Sequence, residues 1–411
     1  MKKIFRPILF TGLLLAGYSA KAQIGLNDLL GQQRVLTTTV PFLAITPDSR
    51  SGAMGDVGVA ISPDPNTIHW NPAKLAFMPN DMGFSLTYTP WLSQIVDDIS
   101  LSYLSGYKKI DELSGFGASL RYFSLGDITF TNEVGEFVKT HRPYELAADA
   151  AYARKLSKNF SIGIAGRFIY SDLAGQMTMQ SGTSTRAGYT FAGDISGFYT
   201  KPIKVSGKNS VLNFGGNISN MGGKITYTNA AERDFIPINM RLGSALNMEI
   251  NEYNEIMFAL DFNKLLVPTN PTYAVDEDGR VLRDRDGKPI IDKGKDPDKP
   301  VISGMIQSFY DAPGGFKEEM QEINPSIGME YWYAKQFAGR LGYFYEHRNK
   351  GNRQYLTLGV GVRYNVLGLD VAYLVPTNTR NSVQRSPLEN TLRFTLSFNL
   401  DPQKGNSNNV Q

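Results

Sequence analysis

From about residue 80 onward, apolar and polar residues alternate along the chain with a period of two. Near its end, Leu392, Phe394, Leu396, Phe398 and Leu400 fall on one parity and Thr391, Arg393, Thr395, Ser397 and Asn399 on the other. Such alternation sets the two groups on opposite faces of a β-strand. The pattern repeats at Ile162, Ile164, Phe168 and Tyr170 against Ser161, Gly163, Ala165 and Arg167. It recurs at Ile256–Phe262 and at Leu356–Tyr364. Fourteen segments carry it: 82–90, 98–107, 115–130, 143–155, 160–172, 187–200, 210–219, 236–249, 254–265, 325–334, 337–347, 353–365, 367–375 and 389–400. Many exceed the ~5–6 residues of an ordinary soluble strand and match the ~9–11 that a tilted strand needs to cross a bilayer.

The charges keep to the polar parity. Arg121, Arg167, Arg241, Arg340, Arg363 and Arg393 lie on it, as do Glu145, Asp149, Asp194, Asp261, Glu330 and Asp370. In a soluble sandwich that face is solvated; in a membrane barrel it is the lumen, because a charge facing lipid at mid-depth costs roughly 2–4 kcal/mol. A sandwich also tapers at its edges, whereas here every segment shows the same pattern, as a closed barrel requires. Connection lengths supply a separate reading. The turns 156–159, 251–253, 335–336 and 366 are short, while the alternate connections 131–142, 173–186, 220–235, 266–324 and 376–388 are long. Short periplasmic turns and long outside loops are the habit of outer-membrane barrels. An even strand count on this plan puts both termini in the periplasm. The expected fold is therefore an all-β membrane protein, an antiparallel outer-membrane β-barrel of about fourteen strands.

Composition sharpens this. Phe (23), Tyr (21) and Gly (40) are frequent, which suits strands and tight turns better than helices. Residues 1–22 read as a secretory signal: Lys2, Lys3 and Arg6, an apolar run from Ile8 to Gly17, then Ala20-Lys21-Ala22 as a cleavage site. The alternative, a membrane anchor, needs a longer apolar run. Cleavage removes four cations and no acid, taking the formal charge from +3 to −1, so the apparent basicity implies no nucleic acid partner. There is no cysteine, hence no disulfide in an exported chain.

Residues 23–80 carry a different signature, and 401–411 form a polar tail expected in the periplasm. Gly25–Leu36 could form a short amphipathic helix. About 58 residues without staples are few for an independent domain, so the segment is expected inside the barrel as a plug with short helices; a periplasmic linker is the other placement. In Trp70-Asn71-Pro72-Ala73, Asn71 precedes a proline and should be extended, and Pro72 suits the first turn of a helix capped by Asn71. That motif, with Met54-Gly-Asp-Val-Gly-Val-Ala60 before it, resembles the N-terminal hatch of the FadL-type barrel superfamily. Across residues 1–400 the chain resembles, within that superfamily, the PorV family of the Bacteroidetes type IX secretion system. The resemblance implies closure of the lumen by the plug. It further implies an outer-membrane shuttle. Such a protein binds secreted cargo through a β-rich C-terminal signal, associates with the large translocon barrel, and passes cargo to a surface attachment complex that includes a sortase.

The 266–324 insertion is the other departure from the barrel pattern. Its Asp276–Gly279 and Asp284–Gly287 turns have neither the spacing nor the terminal glutamate of a calcium loop. Ile302, Met305, Phe309 and Tyr310 make it a candidate partner-binding loop; a solvated hairpin is the plainer reading. No cysteine nucleophile, phosphate loop or metal-ligand cluster is visible, and no cofactor or metal is expected. Three histidines, His69, His141 and His347, leave a lipid-modifying enzyme as one alternative, although the chain reads as a non-enzyme. The other alternative is a transporter of hydrophobic small molecules. That would need an apolar pocket, for which Trp332, Leu374 and Phe198 on the inward parity are the candidates.

Overall fold

The computed structural model describes residues 34–91, 98–131, 134–173, 175, 184–228, 233–377 and 391–400. The signal sequence, the first part of the 23–80 segment including most of the 25–36 helix, and the 401–411 tail lie outside them. Fourteen strands form one closed antiparallel barrel. They are β1 (Met82–Pro90), β2 (Ile99–Lys109), β3 (Ser114–Leu125), β4 (Tyr144–Lys155), β5 (Phe160–Asp172), β6 (Gly188–Val205) and β7 (Lys208–Gly222). The second half comprises β8 (Asn239–Glu249), β9 (Asn254–Leu265), β10 (Ile323–Tyr333), β11 (Phe337–Tyr345), β12 (Gln354–Tyr364), β13 (Leu367–Pro376) and β14 (Leu392–Leu400). Each strand pairs with its sequence neighbours, and β1 closes on β14 with Met82 opposite Leu400.

Burial is inverted relative to a soluble protein. Ser85, Thr87, Arg121, Asp149 and Asp261 are buried, whereas Leu86 (51%), Ile164 (58%), Leu242 (51%), Ile327 (56%) and Val360 (61%) stand open on the outside. An apolar surface running round the whole circumference far exceeds what a water-facing protein exposes. It is the lipid-facing belt of a spanning barrel. No helix among the described residues is long and apolar enough to cross a membrane.

Several boundaries differ from the expectation, three of them with a clear physical cause. The third strand ends at Leu125; Gly126 (φ 79°) breaks it, and Ile128–Thr131 instead pairs with Phe137–His141 in a separate hairpin. The β6–β7 ladder extends to Val205 opposite Lys208, closed by Ser206 and Gly207 at φ 51° and 80°. That pair of positive values is the two-residue turn whose twist suits a hairpin. Residues 236–238 precede β8 rather than belonging to it; Ile236 and Ile238 pack in a buried cluster with Phe42 and Leu43.

The described part of the N-terminal segment runs from one end of the barrel to the other; both termini, expected in the periplasm, lie outside the described residues. The Arg34 N–H donates to Asn349 O (3.0 Å) and the Thr39 N–H to Phe235 O (2.9 Å), both in loops at the long-loop end. Farther along, Phe77 packs edge-on against Phe198 near the short-turn end (centroids 5.7 Å), and β1 starts there at Met82. The chain thus threads the barrel from the long-loop mouth to the short-turn mouth. β14 ends at the short-turn mouth, opposite Met82, whereas Arg34 lies at the long-loop mouth. Strand parity constrains only strands and is silent on how a preceding segment enters. In the cysteine-free chain, Val35→Cys is expected to react with a membrane-impermeant maleimide on intact cells, at 38% exposure. Labelling only after the outer membrane is permeabilised would reverse the threading.

Candidate functional site

Between Val40 and Met78 nearly every residue is buried. Short capped turns build this segment. Asp48 accepts from the Ser51 N–H (2.9 Å), opening the helical turn Ser49–Gly52, and also takes the Trp70 Nε1–H (2.7 Å). Asn71 is extended (φ −165°), and its Oδ1 accepts from the Ala73 N–H (3.1 Å) at the head of a 3-10 helix, Pro72–Phe77. Its Nδ2 donates to Val59 O (2.9 Å) within the segment and to Gly197 O (3.0 Å) on β6. Asn71 is therefore both a cap and a tie to the wall, and Trp70 O takes a bond from Asn217 of β7 (3.0 Å).

Inward-facing glycines make room for this segment. A Cβ on Gly342 would lie 2.0 Å from Met54 C, one on Gly163 2.4 Å from Ala73 N, and one on Gly215 2.1 Å from Val59 O. These distances are below any tolerable contact, so backbone packs directly on backbone around the lumen. Within the segment, a Cβ on Gly58 would lie 2.0 Å from the Trp70 ring. Gly58→Ala is expected to cost about 1–3 kcal/mol by overpacking. Its measure is a lower unfolding temperature on a gel that separates folded from unfolded barrel; an unchanged temperature would show that the segment has slack.

The twelve wall charges all point inward, but they resolve into separate clusters. Glu330 takes two bonds from Arg50 (2.9 and 2.7 Å) and one from Arg340 (2.7 Å) directly across the β10–β11 ladder. Arg340 continues to Asp370 (2.8 Å), and Arg363 joins it there (2.7 Å). Gly361 permits this reach, since a Cβ there would sit 2.4 Å from the Asp370 carboxylate. A second cluster holds Arg167 between Asp149, its cross-strand partner, and Asp194 (3.2 Å). Asp261 accepts from the Gly58 and Val59 N–H groups (2.7 and 2.9 Å). Arg121 donates to Phe42 O and Leu43 O (3.2 and 3.0 Å), and Arg241 to His69 O (3.3 Å) while lying over Trp70 (4.8 Å). Arg393 approaches Asp56 (3.9 Å). The sequence signals missed the partners within the plug: Arg50, Asp56 and Asp64 lie outside any strand, so parity could not mark them. Glu145, also inward, accepts from Ser171 (2.8 Å).

Trp332, Leu374 and Phe198 do not share a pocket. Trp332 lies beside Arg340 and Arg363, Leu374 packs with Phe344 and Tyr355, and Phe198 packs on Phe77. The plug fills the space between them. His69 faces Arg121 (2.7 Å) inside the plug and His141 faces Asp172 (3.5 Å) at an outer loop.

The long outer loop is folded. It holds a hairpin of Thr272–Tyr273 with Ile291–Lys293 and two helices, α1 (Val301–Gln307) and α2 (Phe316–Gln321). Asp276 and Asp284 spend their Oδ1 atoms on N–H groups of their own turns, two and four residues on. Met305 packs inward on the apolar cluster, whereas Ile302 (66%), Phe309 (48%) and Tyr310 (54%) are exposed. The four candidate residues thus split between anchoring and display. Beneath α2, Lys264 of β9 is held by Glu319 (3.2 Å) and Glu322 (2.6 Å), and Lys350 by Glu318 and Glu322 (both 2.8 Å). Arg34 adds a bond to Glu318 (2.6 Å), so the incoming chain is tied to the loop.

Two carboxyls of this loop titrate in opposite senses. Burial, with Glu319 and Glu322 nearby, pushes Asp311 up to about 6 despite the bond from the Thr269 N–H. Glu318 is also penalised by burial, yet Lys350 holds it below the ordinary carboxylate value, and it stays ionised over the same range. The folded loop therefore binds the Asp311 proton more tightly than the unfolded chain does. Asp311's contribution to stability is fullest below its unfolded pKa and is lost as pH rises through about 6. Proteolytic nicking of the loop is expected to slow from about pH 7 to about pH 5 relative to Asp311→Asn, which should lack this dependence. Equal slopes in the two proteins would discount Asp311.

Comparison with known proteins bears on the whole assembly. Among solved structures, a TodX deltaS2S3 mutant monoaromatic hydrocarbon channel is similar at TM-score 0.50 and 14% identity, covering 86% of this chain and 99% of that one. The Pseudomonas putida toluene transporter TodX follows at TM-score 0.48 and 14% identity, covering 84% and 95%. A Pseudomonas aeruginosa FadL homologue gives TM-score 0.41 at 12% identity, covering 86% and 98%. At such identities the first likeness speaks to fold alone, a closed β-barrel. No curated protein matches. The family model described as "Type IX secretion system protein PorV" matches residues 29–272, more than half of the sequence and spanning both plug and wall. This chain belongs to the PorV family of type IX secretion system proteins.

Proposed function

We propose that this protein works at its outer face. It binds secreted cargo through the cargo's β-rich C-terminal signal, associates with the large translocon barrel, and passes cargo to the surface attachment complex with its sortase. The observation that carries this reading is the filled lumen. Most of residues 40–78 are buried, tied to the wall by buried ion pairs and by close backbone contact at Gly342, Gly163 and Gly215. A lumen lined by arginines and carboxylates and packed with a plug suits neither a greasy conduit nor an open pore. What remains available is the outer loop, whose exposed Ile302, Phe309 and Tyr310 stand on a scaffold clamped by Lys264, Lys350 and Arg34. Reversible hand-over calls for a modest contact of this sort rather than a large apolar interface. The chain is accordingly read as a non-enzyme.

The test is co-purification from native membranes in mild detergent. A very large barrel and secreted proteins sharing a β-rich C-terminal domain are expected with the wild type. Cargo recovery should fall about tenfold when Ile302, Phe309 and Tyr310 are changed to serine, the loss expected from removing a few buried anchors. Recovery of the chain alone, with uptake of a hydrophobic compound lost on deletion, would favour transport instead.

A further inference from the structure

On the outer flank of the barrel, beside helix α2, runs an apolar groove of about 370 Å3. Its floor is Met240 and Leu242 of β8, Phe262 of β9 and Ile323 of β10; its other side is Phe309, Phe316 and Met320 of the long loop. The floor residues occupy the two outermost outward-facing rows of the wall: Met240, Lys264 and Ile323 are cross-strand neighbours, as are Leu242 and Phe262. The next row down, Leu260 opposite Ile327, belongs to the exposed apolar belt. The groove is thus continuous with the lipid-facing surface. Phe316 is 79% exposed and Met320 49%, which water would penalise and hydrocarbon would not.

We infer that this groove holds an acyl chain of an outer-leaflet lipid. Three observations select that occupant. A chain can slide in from the belt without crossing water. The groove is apolar except at one end, where Asn263, Lys264 and Glu319 lie. At that end the Lys264 ammonium is already engaged by Glu319 and Glu322, so it is not left to pair with a fatty-acid carboxylate, and the site takes a chain by its tail, leaving the headgroup outside. Lys317, exposed on the same helix, stands on the solvent side where an anionic headgroup would rest. The bound chain fixes α2 to the membrane edge and sets the tilt of the loop above it. This inference does not depend on the cargo-shuttle role.

The chain has no cysteine, so Met320→Cys gives a unique site for an environment-sensitive fluorophore. The full protein is reconstituted in phosphatidylcholine vesicles containing a phospholipid brominated in mid-chain, with Leu260→Cys as the belt reference. Bromine quenching at position 320 is expected to match that at 260, and aqueous iodide to quench both weakly. Adding Phe316→Asp should cut bromine quenching at 320 by about twofold or more and leave 260 unchanged, because it puts a charge at the lip of an apolar slot. Strong iodide quenching at 320, bromine quenching confined to 260, or indifference to Phe316→Asp would overturn the inference. So would a photocrosslinker at 320 that, in native membranes, captures protein and no lipid.

Discussion

Replacing Glu330 with alanine is expected to lower the stability of the folded barrel by about 3 kcal/mol or more, because it strands two buried guanidinium groups. Glu330 is the hub between plug and wall: Arg50 of the plug binds it through two nitrogens and Arg340 of the wall through one. All three side chains are nearly sealed from water. Asp64 still faces Arg50 (3.0 Å) and Asp370 still faces Arg340 (2.8 Å), so the loss should fall at the low end of the ~3–5 kcal/mol seen when one partner of a buried pair is removed. Folded barrel should convert to the unfolded gel form at a lower temperature. Arg363→Ala, at a half-buried position, serves as the control and should change little. If both variants behave like the wild type, the cluster does not fix the plug.

Trp70→Ala should cost about 3–5 kcal/mol by opening a cavity at the centre of the plug. The ring is 2% exposed, lies against Gly58, takes Arg241 over its face and donates to Asp48. Its removal also leaves the buried Asp48 short of one donor. Trp70→Phe keeps most of the volume and loses only the hydrogen bond, for about 1–3 kcal/mol. In planar bilayers the wild type is expected to be silent and Trp70→Ala to show flickering conductance as the plug loosens. A conducting wild type would contradict a filled lumen.

The barrel was legible because lipid and lumen act on opposite parities of one strand. Leu392 to Leu400 and their polar alternates need no partner to be read as two faces, and that reading agrees with the closed fourteen-strand sheet. Register was not legible. That Glu330 opposes Arg340, and Asp149 opposes Arg167, follows from pairings between strands that a single sequence does not display. The break after Leu125 lay in Gly126, whose positive φ ends the strand although Ile128 and Phe130 continue the alternation. Asn71 announced itself as a cap through Pro72, but its bond to Gly197 depends on tertiary approach. The plug's direction was hidden for the same reason, since Arg34 and Thr39 meet their loops through tertiary contacts, with Asn349, Glu318 and Phe235, that a single sequence does not display.

The central claim is that partners are met at the outer loop and not through the barrel. A photo-crosslinking amino acid placed in living cells at Tyr310, and separately at Trp332 in the lumen, tests it most directly. Crosslinks from position 310 to secreted proteins bearing the β-rich C-terminal domain, with none from position 332, are the predicted result. Cargo captured from 332 and not from 310 would contradict the account.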